Sequence, residues 1–468
     1  MQTKLKFLGA AQNVTGSSYL LENNGTRVLI DCGLYQEREF KKRNWEPFPV
    51  APDSIDAILL THAHLDHCGL LPKLVKEGFN GKIYCTPAAL EIVRIVLLDS
   101  ARIQEEDAAF KKRRHEREGR KGPFPELPAY TVEDAEAAVP LLTPVKYNEL
   151  LNLTDDMEAV FYNAGHIFGS SMIKVAFGQN GERRTILFSG DVGRWDKPII
   201  EDPTTFFSAD YVLVESTYGD RIHDDSEDIP EKLAGLINDA HKAGGNIVVP
   251  SFAIERAQEL LYYLNELLLE DRIPHMMVFL DSPMAIRVTE VFKNHPDIFD
   301  EEMTARVQTG RSPFDFPGLV MTIDVEQSKA INRIKGTSMI IAGSGMCTGG
   351  RIKHHLAANI SRKESTILFV GYQASGTLGR LIVNGARTVR ILGQQHRVKA
   401  RIAQIGGFSA HADKNELLDW LTGLIKTPRQ IFVTHGEADT AQSFADFLRE
   451  RTGWKVSVPE YQDEVVLD

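Results

Sequence analysis

The sequence predicts an α/β protein in which a doubly wound parallel-sheet domain is inserted into a discontinuous second domain. Two observations predict this arrangement. The middle of the chain, from about 220 to 395, alternates apolar strands with amphipathic helices, as parallel doubly wound sheets do. The regions before and after it instead end several apolar strands in histidine or aspartate. Because the last region carries residues that make chemical sense only beside the first, we predict that both regions form one domain.

The composition is that of a globular protein. The 468 residues suggest several domains at about 150 residues per domain, and 43% hydrophobic with 25% charged residues exclude extensive disorder. No run approaches 18 apolar residues, so we expect no transmembrane helix. The first residues lack the pattern of a secretion leader, and the 4 cysteines form no CxxC pair. We therefore predict a cytoplasmic protein.

The charge balance disfavours a simple basic nucleic-acid binder. Lys and Arg number 53 against 64 Asp and Glu, which gives a net charge of −11. A nuclease stays open, because metal ions change the local charge. The basic run Lys111 to Lys121 is either a solvated helical face or a local patch that faces a polyanion.

The predicted elements follow from the apolar pattern in chain order. The first part contains short strands and one long helix, namely KLKFLG, SSYLLEN, TRVLIDCG, DAILLTHAH and PAALEIVRIVLLDSARIQEED. The middle part pairs strands such as GGNIVVPS, MMVFLDS and SMIIAGSG with helices such as ERAQELLYYLNELLLE. The last part contains strands and helices in VKARIAQIG, ADKNELLDWLTGLI, QIFVTHG, TAQSFADFLRER and WKVSVPE. The predicted domains are 1–215, 216–395 as the insertion, and 396–468 as the completing part.

The strongest chemical signal lies directly after the apolar strand DAILLT. His62, His64, Asp66 and His67 are four ligand-type side chains within six residues. They cannot share one face of a helix or a strand, so they require an irregular loop. Imidazole and carboxylate together are the ligands of zinc or a similar first-row ion.

Three further candidate ligands end apolar segments and are flanked by small residues. They are His166 in NAGHIFGSS, Asp191 in TILFSGDVGR and His435 in QIFVTHGE. Each of them alone is as often a simple turn residue. Together they predict that several strand ends point ligands toward a common metal site.

These motifs resemble those of the metallo-β-lactamase family, including Asp31 in LIDCG. The blocks VESTYGDR, GGFSAHAD and VTHGEAD resemble the β-CASP branch of that family, whose members process nucleic acids. The resemblance covers nearly the whole chain and points to bacterial and archaeal relatives of the endonuclease subunit of the cleavage and polyadenylation specificity factor. It implies an αββα metallo-β-lactamase sandwich with an inserted β-CASP domain.

The resemblance also implies the metal site. His62, His64 and His166 would hold one metal ion, and Asp66, His67 and His435 the other, with Asp191 bridging both. Asp31 would orient a ligand histidine. Two zinc ions per chain are expected, with manganese as the alternative.

The same resemblance implies the catalytic residues. His411 is the candidate general acid, and Glu215 would keep it charged and oriented. Asp66 is a candidate catalytic residue as well as a candidate metal ligand. In the family, a histidine at the position of His435 accompanies members that act on RNA.

We therefore predict a metal-dependent ribonuclease that hydrolyses single-stranded RNA, endonucleolytically, by a nucleophile that two metal ions activate. A 5′ exoribonuclease and a small-molecule metallohydrolase of the same fold are the alternatives, and a non-catalytic RNA-binding scaffold is a third class. Among relatives homodimers are common, so a homodimer is a further expectation.

Candidate substrate-binding residues lie in glycine-rich turns of the insertion. GSGMCTGGR follows a strand and opens a helix, where backbone N–H groups can hold a phosphate, although a simple tight turn has the same pattern. GYQASGTLGR offers hydroxyl groups and an arginine near another strand end, and Tyr218 could stack on a base or pack in the core. The candidates are Ser344, Gly345, Thr348, Ser375, Thr377, Arg380 and Tyr218.

Overall fold

The computed structural model describes residues 2–119, 122–179, 181–223, 228–374 and 376–468. Contacts divide this chain into two compact units. The first unit comprises Met1–Asp196, Asp202–Ile222 and Ala410–Asp468, and the second comprises Lys197–Glu201 and His223–Ser409. The first unit is therefore discontinuous in sequence, with the second inserted into it.

Two sheets form the centre of the first unit, each with seven strands among the described residues. Sheet A has the strand order Glu464–Leu467, Thr3–Gly9, Ser18–Asn23, Thr26–Ile30, Ala57–Leu59, Lys82–Cys85, Leu142–Pro144. Sheet B has the order Val456–Ser457, Gln430–Thr434, Tyr211–Glu215, Glu182–Phe188, Ser171–Gln179, Met157–Asn163, Leu150–Thr154. The chain's last strand, Glu464–Leu467, pairs antiparallel with its first, Thr3–Gly9.

The two sheets bury one apolar core between them. Phe7 of sheet A packs against Phe432 of sheet B, with ring centroids 5.4 Å apart. The opposite face of sheet B packs against C-terminal helices through Trp420 and Phe444. Burial of both faces explains why the strand Tyr211–Glu215 is buried along its whole length instead of alternating.

Helices flank these sheets and complete the predicted αββα sandwich. The helices of the first unit are Leu65–Cys68, Leu71–Lys76, Pro87–Glu118, Val132–Ala138, Lys414–Thr422 and Ala438–Thr452, with short 3₁₀ helices at Lys41–Trp45, Pro52–Ser54 and Val139–Leu141. Thr86 caps the long helix by accepting a hydrogen bond from the Ala89 N–H at 3.2 Å. Its hydroxyl also donates to the Gly169 carbonyl at 2.6 Å, which ties the helix start to the loop that carries His166.

The second unit is built on sheet C, in which every neighbouring pair of strands is parallel. Its strand order is Leu319–Met321, Met277–Leu280, Ser338–Ala342, Ile247–Pro250, Thr366–Phe369, Arg401–Gln404. The helices are Ile229–Ala243, Arg256–Leu269, Pro283–Asn294, Glu301–Gln308, Val325–Ile331, Ile352–Asn359 and Leu378–Val383, with a 3₁₀ helix at Pro296–Ile298. A separate hairpin joins Thr388–Ile391 to Gln394–Arg397. Strands and helices alternate as the sequence pattern predicts.

The borders between the units differ from the predicted domain limits. Apart from the short segment Lys197–Glu201, the contacts place the borders between Ile222 and His223 and between Ser409 and Ala410, whereas the sequence predicts them after 215 and 395. The physical reason at the second border is the strand Arg401–Gln404, which pairs in parallel with Thr366–Phe369 in sheet C. This segment belongs to the inserted sheet.

The helices among the described residues include none that combines the length and the apolar character needed to cross a membrane.

Candidate functional site

Turns at the ends of strands carry most of the candidate ligands in the first unit. His166 follows the strand Met157–Asn163, Asp191 follows Glu182–Phe188, and His435 directly follows Gln430–Thr434. His62 and His64 lie in a loop as predicted, but Asp66 and His67 lie in the one-turn helix Leu65–Cys68. The two parts of the motif therefore differ in backbone conformation, which aims the side chains in different directions.

The first donor set consists of His62, His64, His166 and Asp191. Nδ1 of His64 lies 3.1 Å from Nε2 of His62 and 3.2 Å from Nε2 of His166. Oδ2 of Asp191 lies 3.3 Å from each of those two Nε2 atoms. Four potential ligand atoms thus surround one point.

The second donor set consists of Asp66, His67, His435 and the other oxygen of Asp191. Nε2 of His67 lies 3.1 Å from Nε2 of His435 and 3.2 Å from Oδ1 of Asp191. Nε2 of His435 lies 3.6 Å from Oδ2 of Asp66 and 3.6 Å from Oδ1 of Asp191. Asp191 therefore presents one carboxylate oxygen to each set.

These donors fit a metal ion. Around a tetrahedral zinc with bonds of about 2.0–2.1 Å, neighbouring ligand atoms lie roughly 3.3 Å apart, close to the separations observed. Oδ1 of Asp191 is buried and accepts no hydrogen bond from the described residues. Such a buried acceptor is costly unless a cation or another donor faces it.

The protonation of the first set also suits metal binding. Burial lowers the pKa of His62 to about 3 and the pKa of His64 to about 4, and it lowers the pKa of His166 well below its ordinary value. The imidazoles are therefore neutral near pH 7, which is the form that ligates a metal. For Asp191, burial favours the neutral acid, but His435 and His67 outweigh it and hold the pKa well below its usual range.

Side chains and carbonyls behind the ligands fix their orientation. Oδ2 of Asp31 lies 2.7 Å from Nδ1 of His67, and Thr61 donates its hydroxyl to the same carboxylate at 2.8 Å. Nδ1 of His166 lies 3.0 Å from the carbonyl oxygen of Ala410, and Nδ1 of His435 lies 3.0 Å from the Thr217 hydroxyl. Asp31 was predicted to orient a ligand histidine. Sequence reasoning missed Thr61, Thr217 and Ala410, and their only signal was adjacency in the chain to motif residues.

His411 and Glu215 lie beside the first donor set. Nδ1 of His411 is 3.2 Å from both carboxylate oxygens of the buried Glu215 and 3.9 Å from Oδ2 of Asp191. Glu215 is itself held by the Val192 N–H at 2.7 Å. Burial lowers the pKa of His411, but the Glu215 carboxylate outweighs it and raises the pKa to about 9.

The candidate substrate-binding residues divide between the units. Tyr218 is in the first unit, half-buried, with its ring centroid 6.0 Å from that of His411. Ser344 and Thr348 lie in the turn before Ile352–Asn359, where Oγ of Ser344 accepts a hydrogen bond from the Thr348 N–H at 3.0 Å. Thr377 caps Leu378–Val383 by accepting from the Arg380 N–H at 3.2 Å.

Two of the predicted features fall partly outside the described residues. Ser375 lies outside them, as do Arg120 and Lys121 at the end of the basic run. Within the described part, Lys111 to Arg114 are exposed on the C-terminal half of Pro87–Glu118. Lys111 pairs with Asp107 at 3.6 Å and Arg114 with Glu118 at 3.0 Å, so acidic neighbours on the helix offset part of this charge.

Comparison with known proteins places the chain in a family. Residues 12–227 match the family model described as the Metallo-beta-lactamase superfamily. Residues 257–382 match the Beta-Casp domain, and residues 395–459 match the Zn-dependent metallo-hydrolase RNA specificity domain.

Individual relatives agree with these matches. The chain is 40% identical over 457 residues to Ribonuclease TTHA0252 of Thermus thermophilus, and the alignment covers 98% of both chains. It is 30% identical over 460 residues to the transcription termination factor FttA of Methanosarcina mazei, covering 95% of this chain and 68% of that one. It is 28% identical over 474 residues to FttA of Methanocaldococcus jannaschii, covering 99% and 71%.

A solved structure shares the fold. A protein of unknown function from Enterococcus faecalis V583 superposes with a TM-score of 0.56 over 100% of both chains at 12% sequence identity. The resemblance stated from the sequence motifs is thus confirmed. The chain belongs to the β-CASP branch of the metallo-β-lactamase family and is a metal-dependent hydrolase.

Proposed function

We propose that the chain is a ribonuclease that hydrolyses phosphodiester bonds within single-stranded RNA. The observation that carries this proposal is the pair of donor sets joined by Asp191, with His411 and Glu215 beside them. The relative named as a ribonuclease, aligned over 98% of its length, supports RNA as the substrate class.

The two donor sets would each hold one metal ion, and zinc suits their imidazole and carboxylate donors. His62, His64 and His166 would hold the first ion, Asp66, His67 and His435 the second, and Asp191 both. When bound, such ions lower the pKa of a water molecule and offset the negative charge on the phosphoryl oxygens. Asp31 and Thr61 would keep His67 in the orientation that presents Nε2 to its ion.

His411 would supply the proton that the departing oxygen needs. Its Nδ1 faces Glu215, so Nε2 would be the ring atom that passes a proton to the leaving group. The neighbouring carboxylate fixes the ring and stabilises its charged form. Glu215 acts as a positioning residue in this scheme.

The first test is the cleavage of an end-labelled single-stranded RNA and the matched DNA, each with and without a chelator. We expect internal RNA fragments that disappear on chelation, while the DNA stays intact. Release of nucleotides from the 5′ end only would show a 5′ exonuclease instead. If metal-loaded protein cuts neither strand, the proposal fails and a small-molecule hydrolase of the same fold takes its place.

The substitution His411→Ala tests the proton donor. We expect kcat on single-stranded RNA to fall by about 10²–10⁴-fold, because a positioned general acid contributes about that much. The matched control is His241→Ala, at an exposed histidine of the helix Ile229–Ala243.

Metal content, measured on both variants, separates this role from a loss of ligands. His411 belongs to neither donor set, so both variants should keep the wild-type metal stoichiometry. An unchanged kcat in His411→Ala would remove this residue from the mechanism.

A further inference from the structure

Two exposed aromatic rings lie at the carboxyl edge of sheet C. Phe252 follows the strand Ile247–Pro250 and is 41% exposed, and Tyr372 follows Thr366–Phe369 and is 50% exposed. These two strands are direct neighbours and run parallel, so their carboxyl ends lie side by side. In open parallel sheets, this edge is where ligands bind.

Phe252 packs against a glycine turn while part of its ring stays exposed. A methyl group at Gly345 would lie 2.8 Å from the Phe252 ring, and one at Gly371 would lie 3.8 Å from it. A side chain at Gly345 would therefore collide with the ring or push it aside. Glycine at position 345 therefore lets this turn lie against one side of the ring. The exposed part of Phe252 remains an apolar surface, and burying it against a ligand would be favourable.

A buried amide holds these two glycine turns in place. Gln373, only 3% exposed, donates from Nε2 to the carbonyl oxygens of Gly345 at 3.0 Å and Gly371 at 3.2 Å. The turns on either side of Phe252 are thus linked by one side chain. A ring in such a fixed frame loses little conformational entropy when a ligand stacks on it.

A positively charged side chain lies beside the ring of Tyr372. The guanidinium carbon of Arg380 lies 5.2 Å from the ring centroid. In a chain with a net charge of −11, a local cation next to an exposed aromatic ring suits a ligand that has both a flat ring and a negative charge. A nucleotide has both.

We propose that Phe252 and Tyr372 form a stacking platform for nucleobases of single-stranded RNA, with Arg380 contacting its phosphate backbone. This inference rests on the proposed function and deepens it, because it assigns part of RNA binding to base stacking. Stacking accepts every base, so the platform gives affinity for single strands without sequence preference.

The test compares the affinity of full-length protein for two RNAs by fluorescence anisotropy, with a chelator present to prevent cleavage. One RNA is an unstructured strand of about 12 nucleotides, a usual site size for single-strand binders. The other has the same length but abasic riboses in its central part. We expect Phe252→Ala and Tyr372→Ala each to weaken binding of the first RNA about tenfold and to leave the second unchanged.

Conservative variants and a control separate stacking from folding. Phe252→Tyr and Tyr372→Phe keep the rings and should keep the wild-type affinity. Phe207→Ala removes a ring that is 74% exposed in the first unit and should change neither affinity. An equal loss on both RNAs, or a loss of less than about twofold on the first, would overturn the platform.

The same RNA, incubated with metal-loaded wild-type protein, reports separately on the proposed function. If it is cut while the platform variants bind both RNAs like wild type, only the platform is overturned. If it is not cut, the proposed ribonuclease activity fails, whatever the platform variants show in the binding assay.

Discussion

Asp31 shows how single residues build the candidate site. It follows the strand Thr26–Ile30 with φ 59°, a left-handed conformation that costs a non-glycine residue about 1 kcal/mol or more. That conformation turns its carboxylate toward Thr61 and His67. His435, with φ 52°, shows the same feature at the end of another strand. Both residues stand where a strand must turn sharply to present a side chain.

Asp31→Asn should weaken metal binding at the second donor set. The substitution removes the negative charge beside Nδ1 of His67, and such outer carboxylates contribute about 10–100-fold to metal affinity. Competition with a chromogenic chelator measures the two metal affinities. Asp239→Asn, in an exposed ion pair with Arg401, is the control and should bind metal like wild type. Equal affinities in both variants would contradict the role given to Asp31.

For single residues, the sequence predicted the candidate metal ligands better than the groups that orient them. Histidines and aspartates clustered at strand ends are rare enough in sequence to stand out, and the structure brings them together. Thr61, Thr217 and the carbonyl of Ala410 were not predictable, because a threonine or a carbonyl in a turn has no distinctive pattern. Their contact with a ligand histidine depends on residues distant in the chain, such as the 244 positions between His166 and Ala410.

The turns that carry the ligands pack closely against one another. At Gly193, two residues after Asp191, an added methyl group would lie 1.7 Å from the carbonyl oxygen of Gly165. The Gly193 N–H meanwhile donates to the carbonyl of Ala164 at 2.8 Å. The turn with Asp191 and the turn with His166 are therefore in backbone contact.

Gly193→Ala should force these two turns apart and lower the bound metal below the wild-type stoichiometry. Gly235→Ala is the matched control, because nothing lies within 4 Å of its added methyl group and it sits inside the helix Ile229–Ala243. The control should bind metal normally and gain about 0.5–1 kcal/mol of stability. Metal analysis of both purified variants checks this. Full metal content in Gly193→Ala would show that the two turns can move apart without loss of metal binding.

The helix Lys414–Thr422 begins three residues after His411. Asp413 caps it by accepting from the Asn415 and Glu416 N–H groups at 2.8 and 3.0 Å, and Glu416 accepts in return from the Asp413 N–H at 2.8 Å. The capping box therefore fixes the chain just after His411.

Asp413→Ala should cost about 1 kcal/mol of stability and also lower kcat, because the backbone next to His411 loses its anchor. Asp324→Ala removes the equivalent capping box of Val325–Ile331 in the second unit and should lower stability alone. Denaturant unfolding and steady-state kinetics on both variants measure the two effects. A similar kcat in the two variants would show that the cap has no part in positioning His411.

The apolar pattern predicted most strands and helices, but it did not always predict which strands pair with one another. The strand Arg401–Gln404 was recognised in sequence, yet it pairs in sheet C instead of with the strands of the first unit. An apolar segment shows that it will form a strand, while its neighbours depend on contacts distant in the chain. For Asp66 and His67 the predicted element itself was wrong, because they lie in a helix and not in a loop. A single helical turn is too short to leave a periodic pattern in the sequence.

In the whole molecule, the side-chain groups that could hold a metal ion among the described residues all lie in the first unit. Removing the metal with a chelator should therefore lower the melting temperature of that unit. A metal at 100 times its dissociation constant contributes about 2.7 kcal/mol per site. Calorimetry before and after chelation, with zinc added back as the control, measures this effect. A melting curve that does not change on chelation would contradict metal binding by the native site.

The separation of the donors along the chain has a consequence for protein synthesis. His67 and His435 contact each other across 368 positions, and the first strand of sheet A pairs with the strand Glu464–Leu467. A chain whose synthesis stops before His435 therefore lacks a ligand of its second donor set. Under the proposed mechanism, such a fragment is expected to leave RNA uncut.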